Sequence, residues 1–335
     1  MNEKKQKQQH LFSGRLLRCL SILLLGLLML GGIPKEVSAD VTGSGTESNP
    51  YVVTTYAELK SLMEEAPTDR TVCYIELGAD ISDTTDSNGN ALMLSESDQQ
   101  VVLDLRGHTL SRTANTTDRA LFDIKGGSFT IRDTRNGGKN GTIKANLVSL
   151  DNVQHSVIHV FSDSGAKVTL DLDENTTVSA EHASMYCIFT EGGNTTIQNG
   201  LFTAKTNVLF ADGGCIYVYG GTYKPDNETG TAIYNNGAYL NLYRCTAKYN
   251  IQSVSSIFAS LNPFSIIKVD GSTREPSDTC RLTGTEIVVS RGEGGGFNSG
   301  DPYLVTSLDE LSYLMRNAFY YSLPAIISMP KGQLI

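Results

Sequence analysis

The side chains able to do chemistry in this 335-residue chain are few and scattered. Asp104 and His108 lie in VVLDLRGHTL. A carboxylate and an imidazole that close suit general acid–base work. His108 also follows a glycine, Gly107, where a side chain faces solvent or a neighbouring turn of chain. Arg132, Asp133 and Arg135 form a charged knot after the strand-like run ending at Ile131, and an ordinary turn explains them equally. Asp171, Asp173 and Glu174 come nearest to a calcium set, but they lack the D-x-D-x-[DN]-G spacing that a calcium loop needs, so a solvated corner fits them and no cofactor is expected. His155, His159 and His182 show no partner pattern. The sequence holds no Gly-rich phosphate loop, nucleophile elbow or zinc motif.

Five cysteines follow residue 39: Cys73, Cys187, Cys215, Cys245 and Cys280. They stand singly, without a CxxC pair, which argues against a metal site. They read mostly as buried apolar fillers, with room for one disulfide.

The elements that must position these groups are repeats. Residues 192–221 contain one pattern twice, 21 residues apart: apolar residues, Gly-Gly, an alternating strand, another glycine. Ile188 and Phe189 lead into Gly192-Gly193, with Thr195 and Ile197 following. Leu209 and Phe210 lead into Gly213-Gly214, with Ile216 and Val218 following. The pattern extends to Gly126, Gly165 and Gly237, and the spacings from Gly126 onward are 39, 27, 21 and 24. The gap of 39 leaves space for a further, less regular coil around residues 142–150. Each strand has apolar residues on one face and cannot bury them alone. Stacking coils about 4.8 Å apart closes a continuous apolar core. The expected fold is all-β, a right-handed parallel β-helix.

Thr55-Tyr-Ala-Glu58 has the form of a capping box. Tyr56, Leu59, Leu62 and Met63 recur at helical spacing, so residues 56–65 read as one amphipathic helix. Its expected role is to cap the first coil, because an uncovered solenoid end invites edge pairing.

The expected boundaries are a signal peptide over 1–39, a linker over 40–49, the β-helix module over 50–290, a Gly-rich linker over 291–300 and a partial second copy over 301–335. The signal reading rests on Lys4, Lys5, Lys7, Arg15 and Arg18 before the apolar run 20–33, with Val37-Ser38-Ala39 as cleavage site. The run is short for a membrane span, which needs about 20 residues. Removing 1–39 leaves 21 basic and 34 acidic residues, a net charge near −13. That excludes nucleic acid and anionic membrane surfaces as favoured partners. The second copy rests on residues 301–315, which repeat residues 49–63 at an offset of 252 with eight of fifteen positions identical.

The stretches GSGTESNPYVVTTYAELKSLM, YIELGADI, VVLDLRGHTLSR and FTIRD, with the glycine corners, resemble the pectin-lyase-like parallel β-helix domains of secreted and surface proteins of Gram-positive bacteria. The resemblance implies a secreted or cell-surface location and the β-helix fold. It does not imply one activity, since this fold hosts lyases, hydrolases and proteins without chemistry. A hydrolase would need clustered carboxylates and a lyase a basic residue, supplied from equivalent positions of neighbouring coils.

A binding face is better supported than a catalytic one. Aligning the strands on Ile197, Val218 and Leu242 puts Thr196, Tyr217 and Asn241 outward in one column. Gln198, Tyr219 and Tyr243 fall outward in the next, and Phe202, Tyr223 and Ala247 in a later one. The candidate ligand-binding residues are therefore Tyr217, Tyr219, Tyr223 and Tyr243. Tyrosine also simply suits exposed strand positions. The expected function is a non-catalytic surface or adhesion-type protein that binds an extracellular glycan or protein. The alternatives are a polysaccharide lyase or glycoside hydrolase acting on uronic-acid polymers, and a structural spacer or fragment of a multi-module protein.

Overall fold

The computed structural model describes residues 41–291, apart from 136, 151–153, 162–164, 256–264 and 275–278, together with two short strands, Tyr303–Leu304 and Ile327–Ser328. The signal-peptide reading of residues 1–39 and the Gly-rich linker 291–300, apart from Arg291 at the end of the strand Arg281–Arg291, lie outside the described residues.

The chain winds as a right-handed parallel β-helix with a single helix among the described residues. Each coil contributes to three sheets. The first sheet stacks Tyr51–Val53, Val72–Leu77, Gln100–Asp104, Ser128–Arg132, Lys167–Asp171, residues 194–199, residues 215–218 and Tyr239–Leu242, all parallel. The second runs from Ile81–Asp83 through Thr109–Thr116, Thr142–Ser149, Thr177–Ala180, Leu201–Ala204 and Thr222–Pro225 to residues 245–247. The third runs from Leu92–Leu94 through Ala120–Ile124, His155–Val160, residues 185–190, residues 207–211 and Thr231–Asn235 to residues 251–253. Two of these strands, Ile81–Asp83 and Leu92–Leu94, are only three residues long.

Register makes the core. Leu103, Ile131, Leu170, Ile197, Val218 and Leu242 pair in succession along the first sheet, and all are fully buried. Removing each such side chain from water is worth about 1.5–3 kcal/mol. Phe122, Ile158, Ile188, Leu209 and Ile233 form the matching column of the third sheet.

The glycine spacings are the coil lengths. Ser128 pairs with Lys167, Lys167 with Asn194, Asn194 with Cys215 and Cys215 with Tyr239. The 39-residue gap is thus one enlarged coil, not two; the extra residues lie in the connections between strands, since Thr142–Ser149 matches the eight-residue strand Thr109–Thr116 of the coil before it. At the corner between third and first sheets successive backbones touch. A Cβ on Gly214, whose φ is +81°, would stand 2.4 Å from the Gly192 carbonyl oxygen. Only glycine permits that approach and that dihedral.

Helix α1, Tyr56–Glu64, is the predicted cap. The Glu58 amide donates to Thr55 Oγ1 at 3.3 Å, and the Thr55 amide donates to Glu58 Oε2 at 3.0 Å. Tyr56, Leu59, Leu62 and Met63 are its buried face. Its C-terminal carbonyls are met from the coil below, where Gln99 Nε2 donates to Glu64 O at 3.2 Å and Ala66 O at 3.3 Å. The far end is closed differently. Beyond residue 253 the parallel ladder gives way to antiparallel pairing, with Arg281–Arg291 lying against Cys245–Ser253 on one side and Ser265–Val269 on the other. Buried Asn250 ties this cap on, accepting from Arg281 and Thr283 and donating to the Gly230 carbonyl at 2.7 Å.

In the C-terminal stretch Tyr303 pairs with Ile327 and Leu304 with Ser328. These positions are Tyr51, Val52, Ile75 and Glu76 displaced by 252, and Tyr51 pairs with Ile75 and Val52 with Glu76. The remainder of 301–335 lies outside the described residues.

Candidate binding face

The outer surface of the first sheet carries the predicted tyrosines on its last coils. Thr196, Tyr217 and Asn241 stand in register on three consecutive strands. Just past them, the Tyr219 and Tyr243 rings stack with centroids 4.6 Å apart and planes 16° apart. That separation is the coil repeat itself, so identical side chains one coil apart meet face to face. Tyr219 is 39% exposed. The alternation misses one member: Tyr239, in register with Cys215, is 63% exposed and meets Tyr217 edge to face at 6.5 Å. Counting back two residues from outward Asn241 would have found it. The Tyr217 hydroxyl is pushed up from its ordinary value, by desolvation first and then by Cys215, Tyr239 and Tyr243.

Tyr223 does not belong to this face. It is fully buried, as are Phe202 and Ala247, the other members of the column read as outward. Phe202 pairs with Val178 and Tyr223 with Phe202, inside the second sheet. The error lies at the corner. Counting by twos from Gln198 or Tyr219 runs through Gly200 and through Gly220-Gly221, where the strand ends and the chain bends. Gly221, at φ +101°, resets which parity points inward. The Tyr223 hydroxyl donates to the Gly220 carbonyl at 3.4 Å, and burial holds its pKa well above the ordinary value.

The other candidates serve as corner braces between coils. Asp104 accepts from the Thr134 amide at 2.9 Å and Thr134 Oγ1 at 2.6 Å, and pairs with Arg132 at 3.0 Å. Asp133 accepts from the amides of Gly107 and Gly141 and from Thr176 Oγ1, at 2.8, 2.6 and 2.7 Å. His108 Nδ1 lies 3.3 Å from Asp80, and Arg135 pairs with Asp173 at 2.6 Å. Among the described residues no group of three or more His, Cys, Asp or Glu side chains is arranged to hold a metal ion. The five described cysteines are free. Burial pushes the thiols of Cys187 and Cys245 up to about 12 and that of Cys73 to about 11, as expected of inert fillers.

The sequence reading missed a second aromatic row, on the outside of the third sheet. Asp123, His159, Phe189, Phe210 and Tyr234 pair in succession across five coils. Ring centroids follow at 5.2, 5.3 and 5.1 Å from His159 to Tyr234, with Tyr186 packed 5.1 Å from Phe210. Phe189 and Phe210, which read as apolar lead-ins to Gly-Gly, therefore point out of the solenoid. A usable signal existed: Asp123, Phe189, Phe210 and Tyr234 each stand three residues before a corner glycine.

No family model matches the chain, and neither a curated protein nor a solved structure matches it. Among the described residues no helix is long and apolar enough to cross a membrane.

Proposed function

We propose that this is a secreted, non-catalytic β-helix protein of the pectin-lyase-like type that recognises a polypeptide partner through the Tyr217–Tyr219–Tyr239–Tyr243 face. The signal-like residues 1–39 and the resemblance of the β-helix segments support secretion. The stacked geometry of Tyr219 and Tyr243 carries the choice of partner. A sugar ring stacks on an exposed aromatic face, but Tyr219 and Tyr243 each give one face to the other. Clustered, rigid tyrosines are the currency of protein-recognition surfaces.

The test is binding of the intact protein and of Tyr219→Ala/Tyr243→Ala to immobilised extracellular-matrix proteins, with a glycan array in parallel. Binding to a protein that weakens by roughly tenfold or more in the double variant supports the proposal. Unchanged binding removes this face, and binding confined to the glycan arm overturns the choice of partner.

Cleavage of uronic-acid polymers is favoured by one observation, the placement of His159 between Asp123 and Glu191 on consecutive coils. Against it, the imidazole is fully buried and Asp123 is 6% exposed, so neither reaches a polymer. Release of unsaturated or reducing ends from polygalacturonate with Ca²⁺ would reverse this order of preference.

A further inference from the structure

His159 sits where three coils meet. Its Nδ1 lies 2.9 Å from Asp123 Oδ1 on the preceding coil, and its Nε2 lies 3.6 Å from Glu191 Oε2 on the following one. The ring stacks on Phe189 at 5.2 Å and meets Phe161 edge-on at 5.0 Å. The charged groups around it, among the described residues, are these two carboxylates and their own cations. Arg119 pairs with Glu191 at 2.9 Å and Lys125 with Asp123 at 3.3 Å, both cations reaching over Phe161.

A neutral imidazole carries one N–H and one lone pair. Whichever tautomer forms, one of the two carboxylates then faces a lone pair. The doubly protonated ring directs an N–H at each. Nε2 has no hydrogen-bond partner, and a buried nitrogen left so is costly unless its charge is answered. We propose that His159 is a proton-dependent clasp: protonated, it joins the coils of Asp123 and Glu191 through itself; deprotonated, it lets go of the Glu191 coil. That coil carries residues 185–199, against which the first of the tyrosine-bearing strands is laid.

The sign follows from the groups present. Desolvation is the largest influence on Asp123 and pushes its pKa up, but the hydrogen bond and charge of His159, with Lys125, outweigh it and hold the carboxyl below its ordinary value. Asp123 therefore stays charged while the imidazole gains its proton. The contact forms when the ring gains its second proton and is lost when the ring gives it up.

The test uses the full chain with ¹⁵N-labelled histidine, His159→Gln assigning the signals. Two ring N–H groups on His159 at the acid end of a pH titration, and one at the alkaline end, are expected. Amide exchange in 157–160 and 187–190, corrected for its intrinsic pH dependence, should be roughly tenfold slower at the lower pH, the equivalent of one charged hydrogen bond. His159→Gln should abolish that difference. Glu191→Gln, which removes only the second carboxylate's charge, should abolish most of it and serves where His159→Gln does not fold. A single ring N–H throughout the titration, or an exchange difference that survives undiminished in either variant, overturns the proposal.

Discussion

Two stacked ring pairs lie within a few residues of each other and behave oppositely. Phe202 and Tyr223 stack at 5.0 Å and 14°; Tyr219 and Tyr243 stack at 4.6 Å and 16°. Both are products of the coil repeat, and both use adjacent coils. The first pair is fully buried and the second faces out. Ring chemistry does not decide between core and surface here. The corner does, because Gly220-Gly221 separates Tyr219 from Tyr223 and restarts the alternation.

The comparison is broken most easily at Tyr223. Replacing it by Ala removes a large, fully buried side chain and leaves a cavity beneath Phe202. A loss of about 3–5 kcal/mol is expected, read as a lower urea midpoint with unchanged slope. Tyr219→Ala should cost no more than about 0.5–1.5 kcal/mol, the worth of an aromatic pair. Equal losses from the two variants would mean that the outer pair is also core.

The corner itself is the next lever. Gly221 has φ +101°, and a Cβ there would meet Phe202 Cε2 at 3.1 Å. Gly221→Ala should cost about 1–3 kcal/mol from the forced left-handed backbone. Its effect should reach the buried pair first: near-ultraviolet circular dichroism should change through Tyr223, while access of a solvent quencher to Tyr219 stays as it was. A fully tolerated substitution would show that the corner glycine does not control the parity.

The fold was legible because its signals are local and periodic. The corner glycines mark coil lengths directly, since each coil must return the chain to one place. The Thr55–Glu58 capping box marks the helix, since its hydrogen bonds involve neighbours in sequence. The site was legible only where alternation runs unbroken, from Val218 to Tyr217 and Tyr219. It failed at Tyr223, where the parity resets, and it could not see His159. Asp123 and Glu191 are 36 and 32 residues from that ring, and coils of unequal length hide the register that brings them together. The brace aspartates were hidden in the same way: Asp133 reaches Thr176 across 43 residues.

The smallest expected effect sharpens the comparison most. Tyr219→Phe keeps the ring and its stack on Tyr243 and removes only the hydroxyl. A surface change of this kind moves stability by about 0.5 kcal/mol or less. If the outer pair exists to present hydroxyl tips, partner binding should still weaken, by an amount near one hydrogen bond, about 0.5–1.5 kcal/mol. The inner pair offers the control. Tyr223→Phe also keeps its ring, but it loses a buried hydroxyl held only by the 3.4 Å contact to Gly220, and it should leave binding untouched. A Tyr219→Phe variant that binds as tightly as the parent while Tyr219→Ala does not would shift the role of this face from hydrogen bonding to ring packing. A hydroxyl-based reading of the face would then have to be abandoned, even with the face itself still in place.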